Sequence, residues 1–369
     1  MSSLYKEDKM SKQVNCGGVL IGGGAPISIQ SMTNVDTRNE DALLNQITDL
    51  ANEGCDIVRV AIPNNAAAES FAKVRKKTDV PLVADIHFDY RLALAAIKGG
   101  ADKVRINPGN IGGMDRVKAV IDAAAERHIP IRVGVNSGSL SRDLIAKYGG
   151  VTAEALAESA VRTLNEIEKM GFDDLVLSIK SSDVAMNYKA HIIVREMTDH
   201  PLHIGITESG TPRTGKLKSA VGIGALLLAG IGDTIRVSLT EDPIEEVRFA
   251  KKILETVGLK RKSIEIVSCP TCGRTEIDLI RLADEVEERL APIAVERELC
   301  GKKQIKVAVM GCAVNGPGEA READYGIAGG KGEGLIFANG NIVKKVKEDR
   351  LIDELISLIS GDIGIYMGE

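Results

Sequence analysis

The chain has 369 residues, a net charge of -5 and an isoelectric point of about 5.7, long enough for one large core and a second small one. The negative balance excludes a global electrostatic footprint for nucleic acid or an anionic membrane, and 3% aromatic residues with no tryptophan argue against base-stacking platforms. Six cysteines at uneven spacing suit intracellular thiols rather than a disulfide framework.

Residues Met1 to Val14 are polar and lack the apolar stretch of a signal peptide. The longest apolar stretch, Ala220 to Gly232, is too short and glycine-rich to span a bilayer. These features predict a soluble, cytoplasmic protein. After the tail, Val14 to Ile21 reads as a short hairpin ahead of the first real strand. Eight runs rich in Val, Ile and Leu then follow, at Ile27–Met32, Asp56–Ile62, Leu82–Ile86, Lys103–Asn107, Ile131–Asn136, Leu175–Lys180, Leu202–Thr207 and Thr234–Leu239. Between them lie segments of helical period, among them Asp41–Asn52, Ala66–Lys77, Met114–Arg127, Ala153–Met170, Val184–Thr198 and Pro243–Thr256. Gly54, Gly171 and Gly258 close three of these as left-handed caps.

Strands apolar on both faces and alternating with helices imply parallel pairing with right-handed crossovers. Eight such units fit a closed (β/α)8 TIM-type barrel better than an open doubly wound sheet, and no G-x-G-x-x-G follows the first strand. The charged stretch Leu259 to Lys262 marks a boundary, giving a barrel domain 1–259 and a small α+β domain 260–369. In the latter, strands are predicted at Ile264–Ser268, Ile305–Met310, Leu335–Ala338 and Ile342–Val346, with helices at Thr275–Leu290 and Arg350–Ser360. Asn339-Gly340 between apolar runs signals a hairpin.

Four barrel strands carry an arginine between β-branched neighbours, namely Arg59, Arg105, Arg132 and Arg236, and a fifth ends in Lys180. Each alone would be read as pairing with a helix carboxylate. Five at one kind of position predict a cationic layer inside the barrel, and buried cations cost several kcal/mol unless an anion meets them. Since the chain is acidic overall, that anion is expected to be a phosphorylated ligand. Strand ends, where barrel active sites lie, also carry Gln30, Thr33, Asn34, Asp85, His87, Asn107, Asn136, Glu208 and Ser238. Asn107 and Asn136 are equally well explained as turn residues. Glu208 beside a cationic pocket suits an acid or base, or a salt bridge to one of the arginines. His203, at the start of its strand, reads as structural.

Cys16 and Cys55 read as small buried hydrophobes. Cys269, Cys272, Cys300 and Cys312 remain as ligands for a cluster or for zinc. A zinc ribbon would need a second C-x-x-C knuckle, which is missing.

Three motifs then carry a resemblance: Cys269-Pro-Thr-Cys272-Gly-Arg-Thr, Met310-Gly-Cys312-Ala-Val-Asn-Gly-Pro-Gly-Glu319 and Ile29-Gln-Ser-Met-Thr-Asn34. They resemble the iron–sulfur 4-hydroxy-3-methylbut-2-enyl diphosphate synthase family of the non-mevalonate isoprenoid pathway, in its short two-domain bacterial form. The resemblance implies a [4Fe-4S] cluster held by Cys269, Cys272, Cys312 and the carboxylate of Glu319, with Cys300 a bystander. It implies reductive ring opening and dehydration of 2-C-methyl-D-erythritol 2,4-cyclodiphosphate. Arg59, Arg105, Arg132, Arg236 and Lys180 would clamp the diphosphate with Asn136 and Ser238. Asp85, His87 and Glu208 would handle protons, with Glu319 at the cluster's reactive end. Flavodoxin or ferredoxin would supply electrons to a homodimer. The rival readings are a phosphate-binding barrel lyase or transferase with a structural metal domain, and a non-catalytic cluster-binding electron carrier. A carrier has no use for cations inside an apolar barrel.

Overall fold

The computed structural model describes residues 10–312 and 322–363. The chain divides after Lys260 into two compact units.

The first unit opens with the antiparallel hairpin β1 (Gln13–Cys16) and β2 (Val19–Gly22). Eight parallel strands follow: β3 (Ser28–Met32), β4 (Ile57–Ala61), β5 (Leu82–Asp85), β6 (Lys103–Ile106), β7 (Ile131–Asn136), β8 (Leu175–Lys180), β9 (His203–Ile204) and β10 (Thr234–Ile235). All eight predicted runs therefore contain a strand. The last two are shorter than expected, for the chain leaves the ladder after Ile204 and Ile235. At Gly205 a Cβ would stand 2.5 Å from Arg236 O, so only glycine permits this approach. Neighbours run in the order β8-β7-β6-β5-β4-β3-β10-β9. The remaining seam is closed by one parallel bridge, Leu177 with Leu202, where Leu177 N–H donates to Pro201 O at 2.9 Å. The sheet is thus a barrel and not an open doubly wound sheet.

Helices α1 (Glu40–Asn52), α2 (Asn65–Arg75), α3 (Tyr90–Lys98), α4 (Pro108–Ile111), α5 (Met114–Arg127), α6 (Arg142–Tyr148), α7 (Ala153–Glu168), α8 (Val184–Met197), α9 (Pro212–Leu228) and α10 (Pro243–Thr256) lie between and after the strands. Asn39, Asn64, Asp89, Thr152 and Asp183 cap five of them by accepting a backbone N–H of the first turn. Gly54, Gly171 and Gly258 have φ of +94°, +84° and +77°, as their reading as left-handed caps requires.

Strand side chains alternate between two environments. Val58, Val60, Leu82, Ala84, Val104, Ile106, Ile131 and Val133 join the helices in one core. On the other face, Ile57, Val83 and Val176 meet Val14, Cys16 and Ile21 of the hairpin. The hairpin therefore plugs the barrel at the N-terminal ends of its strands, leaving the C-terminal ends for chemistry. Truncating the fully buried Ile21 to alanine would cost about 2–5 kcal/mol.

The second unit is a five-stranded sheet of β11 (Ile264–Ser268), β12 (Ile305–Met310), β13 (Tyr325–Gly329), β14 (Glu333–Ala338) and β15 (Asn341–Lys347), in that order. The β11–β12 and β12–β13 pairs are parallel, and the other two are antiparallel. Helices α11 (Leu279–Leu299) and α12 (Leu351–Ile363) share its main core. Asn339 and Gly340, with φ of +50° and +76°, make the predicted hairpin turn. Strand β13 was not predicted, and α11 runs nine residues past its predicted end at Leu290, through Pro292. No helix among the described residues is long and apolar enough to cross a membrane.

Candidate active site

By the alternation that sends Ile57, Val83 and Val176 to the plug, the same face of the strands carries Arg59, Asp85, Lys103, Arg105, Arg132, Asn136, Lys180 and His203. Arg236 follows β10 directly. Asp85, Arg105 and Arg132 are lateral partners in the ladder, so three charges of adjacent strands lie side by side. Asp85 and three of the arginines are deeply buried: Arg59 and Arg105 are 5% exposed, Asp85 1% and Arg132 0%.

Asp85 is the hub. One carboxylate oxygen lies 3.4 Å from Arg105 Nη1, and the other 3.0 Å from His87 Nε2 and 4.0 Å from Arg59 Nε. Burial alone would raise its pKa, but Arg59, His87, Arg105 and Arg132 together hold its carboxyl far below the ordinary range. One carboxylate cannot satisfy this many cations. Arg59 Nη1, Arg105 Nε, Arg236 Nε and all three guanidinium nitrogens of Arg132 are buried with no hydrogen-bond partner among the described residues. Native proteins rarely leave such groups unmatched, and here every one is a donor, so the arrangement fits an anion with several acceptor oxygens.

Backbone choices make room for these groups. Gly134 sits beside Arg105, whose Nη2 would lie 3.0 Å from any Cβ at 134. Lys180, His203, Thr207, Arg236 and Ser238 line one small cleft, and Ser209 Oγ donates to Ser238 O at its rim. Asn136 is the lateral partner of Lys180. Glu208 stands exposed beyond β9, with φ of +50°. It pairs with none of the arginines among the described residues. A non-glycine residue in the left-handed region costs about 1–2 kcal/mol, the kind of strain that collects at working sites. His87 is more than half exposed and stacks at a tilt on the exposed Phe88, with ring centroids 5.9 Å apart.

Two further buried groups, neither of them put forward from the sequence as a site residue, lie against these side chains. Glu246 on α10 accepts Leu239 N–H at 2.7 Å and Ser31 Oγ–H at 3.3 Å, and lies 3.8 Å from Arg236 Nη2. Burial raises its pKa although Arg236 opposes this. In sequence it looks like any acidic residue in a helix's first turn. His203, expected to be structural, lines the Lys180 cleft. Burial, reinforced by Arg132, Lys103 and Lys180, pushes its pKa well down and keeps the ring neutral.

In the second unit, Cys269 follows β11 and Cys312 follows β12 after Gly311. Ser268 pairs with Val309, so both thiols leave the same end of adjacent parallel strands. Gly311 N–H donates to Cys269 Sγ at 3.2 Å. The loop that carries Cys272 is tied by Cys272 N–H to Thr275 Oγ1 at 3.1 Å and by Thr275 N–H to Cys272 O at 3.0 Å. The backbone N–H of Arg274 lowers the pKa of Cys272. Amide donors aimed at sulfur favour thiolates, so these residues fit a thiolate-bound metal centre. Cys300 caps α11 five residues before β12 begins, whereas Cys312 lies beyond that strand's far end, so the two sit at opposite ends of it. Glu319 lies outside the described residues.

Among the described residues, the group whose ligand atoms lie close enough together to share a metal ion is a different one, Glu168, Asp173 and His200. The ammonium of Lys12 already supplies its cation, at 2.7 Å from Asp173 and 3.7 Å from Glu168.

Two family models match the chain: the GcpE TIM-barrel domain over residues 11–251 and the GcpE protein C-terminal domain over 265–361. Curated relatives named 4-hydroxy-3-methylbut-2-en-1-yl diphosphate synthase (flavodoxin) match nearly end to end. That of Caldanaerobacter subterraneus is 53% identical over 356 residues, covering 96% of this chain and 98% of its own. That of Clostridium perfringens is 55% identical over 351 residues, with 95% and 98% covered. That of Geobacter sulfurreducens is 53% identical over 347 residues, with 94% and 96% covered.

Proposed function

The chain belongs to the GcpE family, and on that premise we propose that it is a flavodoxin-dependent 4-hydroxy-3-methylbut-2-en-1-yl diphosphate synthase. It opens the ring of 2-C-methyl-D-erythritol 2,4-cyclodiphosphate, taking up two electrons with protons and releasing one oxygen as water. The observation that carries this reading is the set of unpartnered guanidinium nitrogens on Arg59, Arg105 and Arg132 inside a barrel. They ask for a compact ligand with several anionic oxygens, and a cyclic diphosphate is one.

Arg59, Arg105, Arg132, Arg236 and Lys180 grip the diphosphate, with Asn136 and Ser238 adding neutral hydrogen bonds. Asp85 keeps Arg59 and Arg105 in place and orients His87. Glu208, on its exposed loop, is the acid that delivers a proton to the departing oxygen, assisted by Asp85 and His87. Cys269, Cys272 and Cys312 hold a [4Fe-4S] cluster with Glu319 as fourth ligand, a harder and more exchangeable donor than thiolate. When bound, the cluster supplies electrons one at a time and a Lewis-acidic iron. Flavodoxin is the electron donor, ferredoxin its substitute, and the enzyme works in the cytoplasm as a homodimer.

Absorption and Mössbauer spectra of anaerobically purified protein test the reading. A brown chromophore with one distinguishable iron site, in a preparation that turns over the cyclic diphosphate with a one-electron reductant, is the expected outcome. Stoichiometric zinc without iron would sink it.

A further inference from the structure

Five cations face the barrel mouth, Arg59 of β4, Arg105 of β6, Arg132 of β7, Lys180 of β8 and Arg236 after β10, against two buried carboxylates, Asp85 of β5 and Glu246 of α10. Asp85 is within 4.0 Å of Arg59 and Arg105, and Glu246 is 3.8 Å from Arg236. Among the described residues neither Arg132 nor Lys180 has a carboxylate within ion-pair reach. The other groups around Lys180 are neutral: the buried imidazole of His203 on β9, Thr207, Ser238, and Asn136 on β7.

Such a surplus of buried positive charge is relieved by losing a proton. Four of the five cations are guanidinium groups, whose intrinsic pKa above 12 makes them the last to release one. The one other lysine that the described strands carry on this face, Lys103, starts β6 at the hairpin end of the barrel beside Cys16. At the mouth it is therefore the ammonium of Lys180, lower to begin with and in the same field, that gives way first. We propose that the cyclic diphosphate enters this barrel together with a proton, which is taken up by Nζ of Lys180. The inference rests on the functional reading above and specifies how its binding site works.

The direction of the Lys180 pKa agrees: burial, then Arg59, Arg132, Arg236 and Arg105, push it well below its ordinary value. On this proposal Nζ is an amine before the ligand arrives, because no carboxylate among the described residues lies within ion-pair reach of it to offset Arg59, Arg105, Arg132 and Arg236 around it. The arriving diphosphate adds negative charge, and Nζ forms one N–H bond with a proton drawn from solvent, with no electron transfer and no other bond broken. The ligand cannot be the acceptor. Each phosphorus of a cyclic diphosphate keeps one strongly acidic oxygen, already ionised at neutral pH. Because uptake accompanies binding, affinity weakens as pH rises between the pKa values of the empty and filled sites, by up to about tenfold per pH unit for one proton.

Isothermal titration of the anaerobic holoenzyme with 2-C-methyl-D-erythritol 2,4-cyclodiphosphate, without reductant, tests this in two buffers of equal pH and different ionisation enthalpy. We expect uptake of about one proton in the wild type, none in Lys180→Arg, which keeps the cation but does not release its proton, and unchanged uptake in His203→Gln. Binding without uptake, or uptake that persists in Lys180→Arg, overturns the proposal. A wild-type Kd that stays flat from about pH 7 to 9 overturns it whether or not the arginine variant folds. If the compound does not bind at all, the functional reading falls and this inference with it, whereas binding without a proton removes only the inference.

Discussion

Gly134 and Arg105 share one space: a Cβ at position 134 would lie 3.0 Å from Arg105 Nη2 and 3.1 Å from its Nε. The glycine sits in the middle of β7 with no positive φ, so it is there for room and not for backbone freedom. Gly134→Ala should push the guanidinium aside by a few tenths of an ångström while the fold tolerates the methyl. Melting temperature is expected to change little, and kcat/KM for the cyclic diphosphate to fall by about tenfold, since displaced positioning groups cost rate steeply. Equal activity at equal stability would show that Arg105 does not need that space.

His191 supplies a test of the fold that is independent of the site. It is fully buried on α8, and its Nδ1–H donates to Asn187 O at 2.8 Å. Burial pushes its pKa down to about 4 against the partial support of that carbonyl. A histidine with a depressed folded pKa contributes stability that is complete above its unfolded value near 6.5 and is lost as pH falls toward 4. The stability lost between about pH 7 and pH 5 should therefore include about 2 kcal/mol from this ring. In His191→Leu, urea denaturation at the two pH values should show the difference shrunk by that amount.

The eight barrel strands were legible because each is a short apolar run between helical segments, a pattern that only buried parallel strands require. Closure was expected only from the number of units, for the single bridge between Leu177 and Leu202 that makes it is announced by no local pattern. Strand β13 was missed because two of its five residues are glycine, and Gly326 is there because a Cβ would strike Phe337 and Ala308 O. The barrel cations stood out as arginines between β-branched neighbours. Their counter-charge Glu246 did not, because it comes from a helix start and reaches Arg236 only through the fold. His203 reads as structural from its place in the chain alone. Its position at a strand's start says nothing of the cations that converge on it from other strands.

The three thiols should separate cleanly from the fourth. Cys269→Ser, Cys272→Ser and Cys312→Ser are each expected to reduce iron and sulfide content after anaerobic purification to background, with loss of the visible chromophore. Cys300→Ser, at the exposed end of α11 and the wrong end of β12, should match the wild type in metal content and turnover. Iron retained in Cys312→Ser together with iron lost in Cys300→Ser would reverse the assignment.

Glu208 is the residue for which binding and chemistry should come apart. It is exposed, held at φ +50°, and pairs with no barrel arginine among the described residues. Removing its charge should therefore leave the diphosphate clamp intact. Glu208→Gln is expected to bind the cyclic diphosphate with a Kd within about twofold of wild type, as for other exposed substitutions. If the carboxyl donates the proton that lets the substrate oxygen leave, kcat should fall by about 10²- to 10⁴-fold, the usual worth of a positioned acid. The amide keeps the shape and the backbone strain of the wild type, so a lost turn conformation cannot account for such a fall. A proportional loss of binding and turnover would instead make Glu208 a substrate ligand, and an unchanged kcat would pass the proton role to His87 and Asp85, whose 3.0 Å contact is the other proton-bearing pair at the mouth of the barrel.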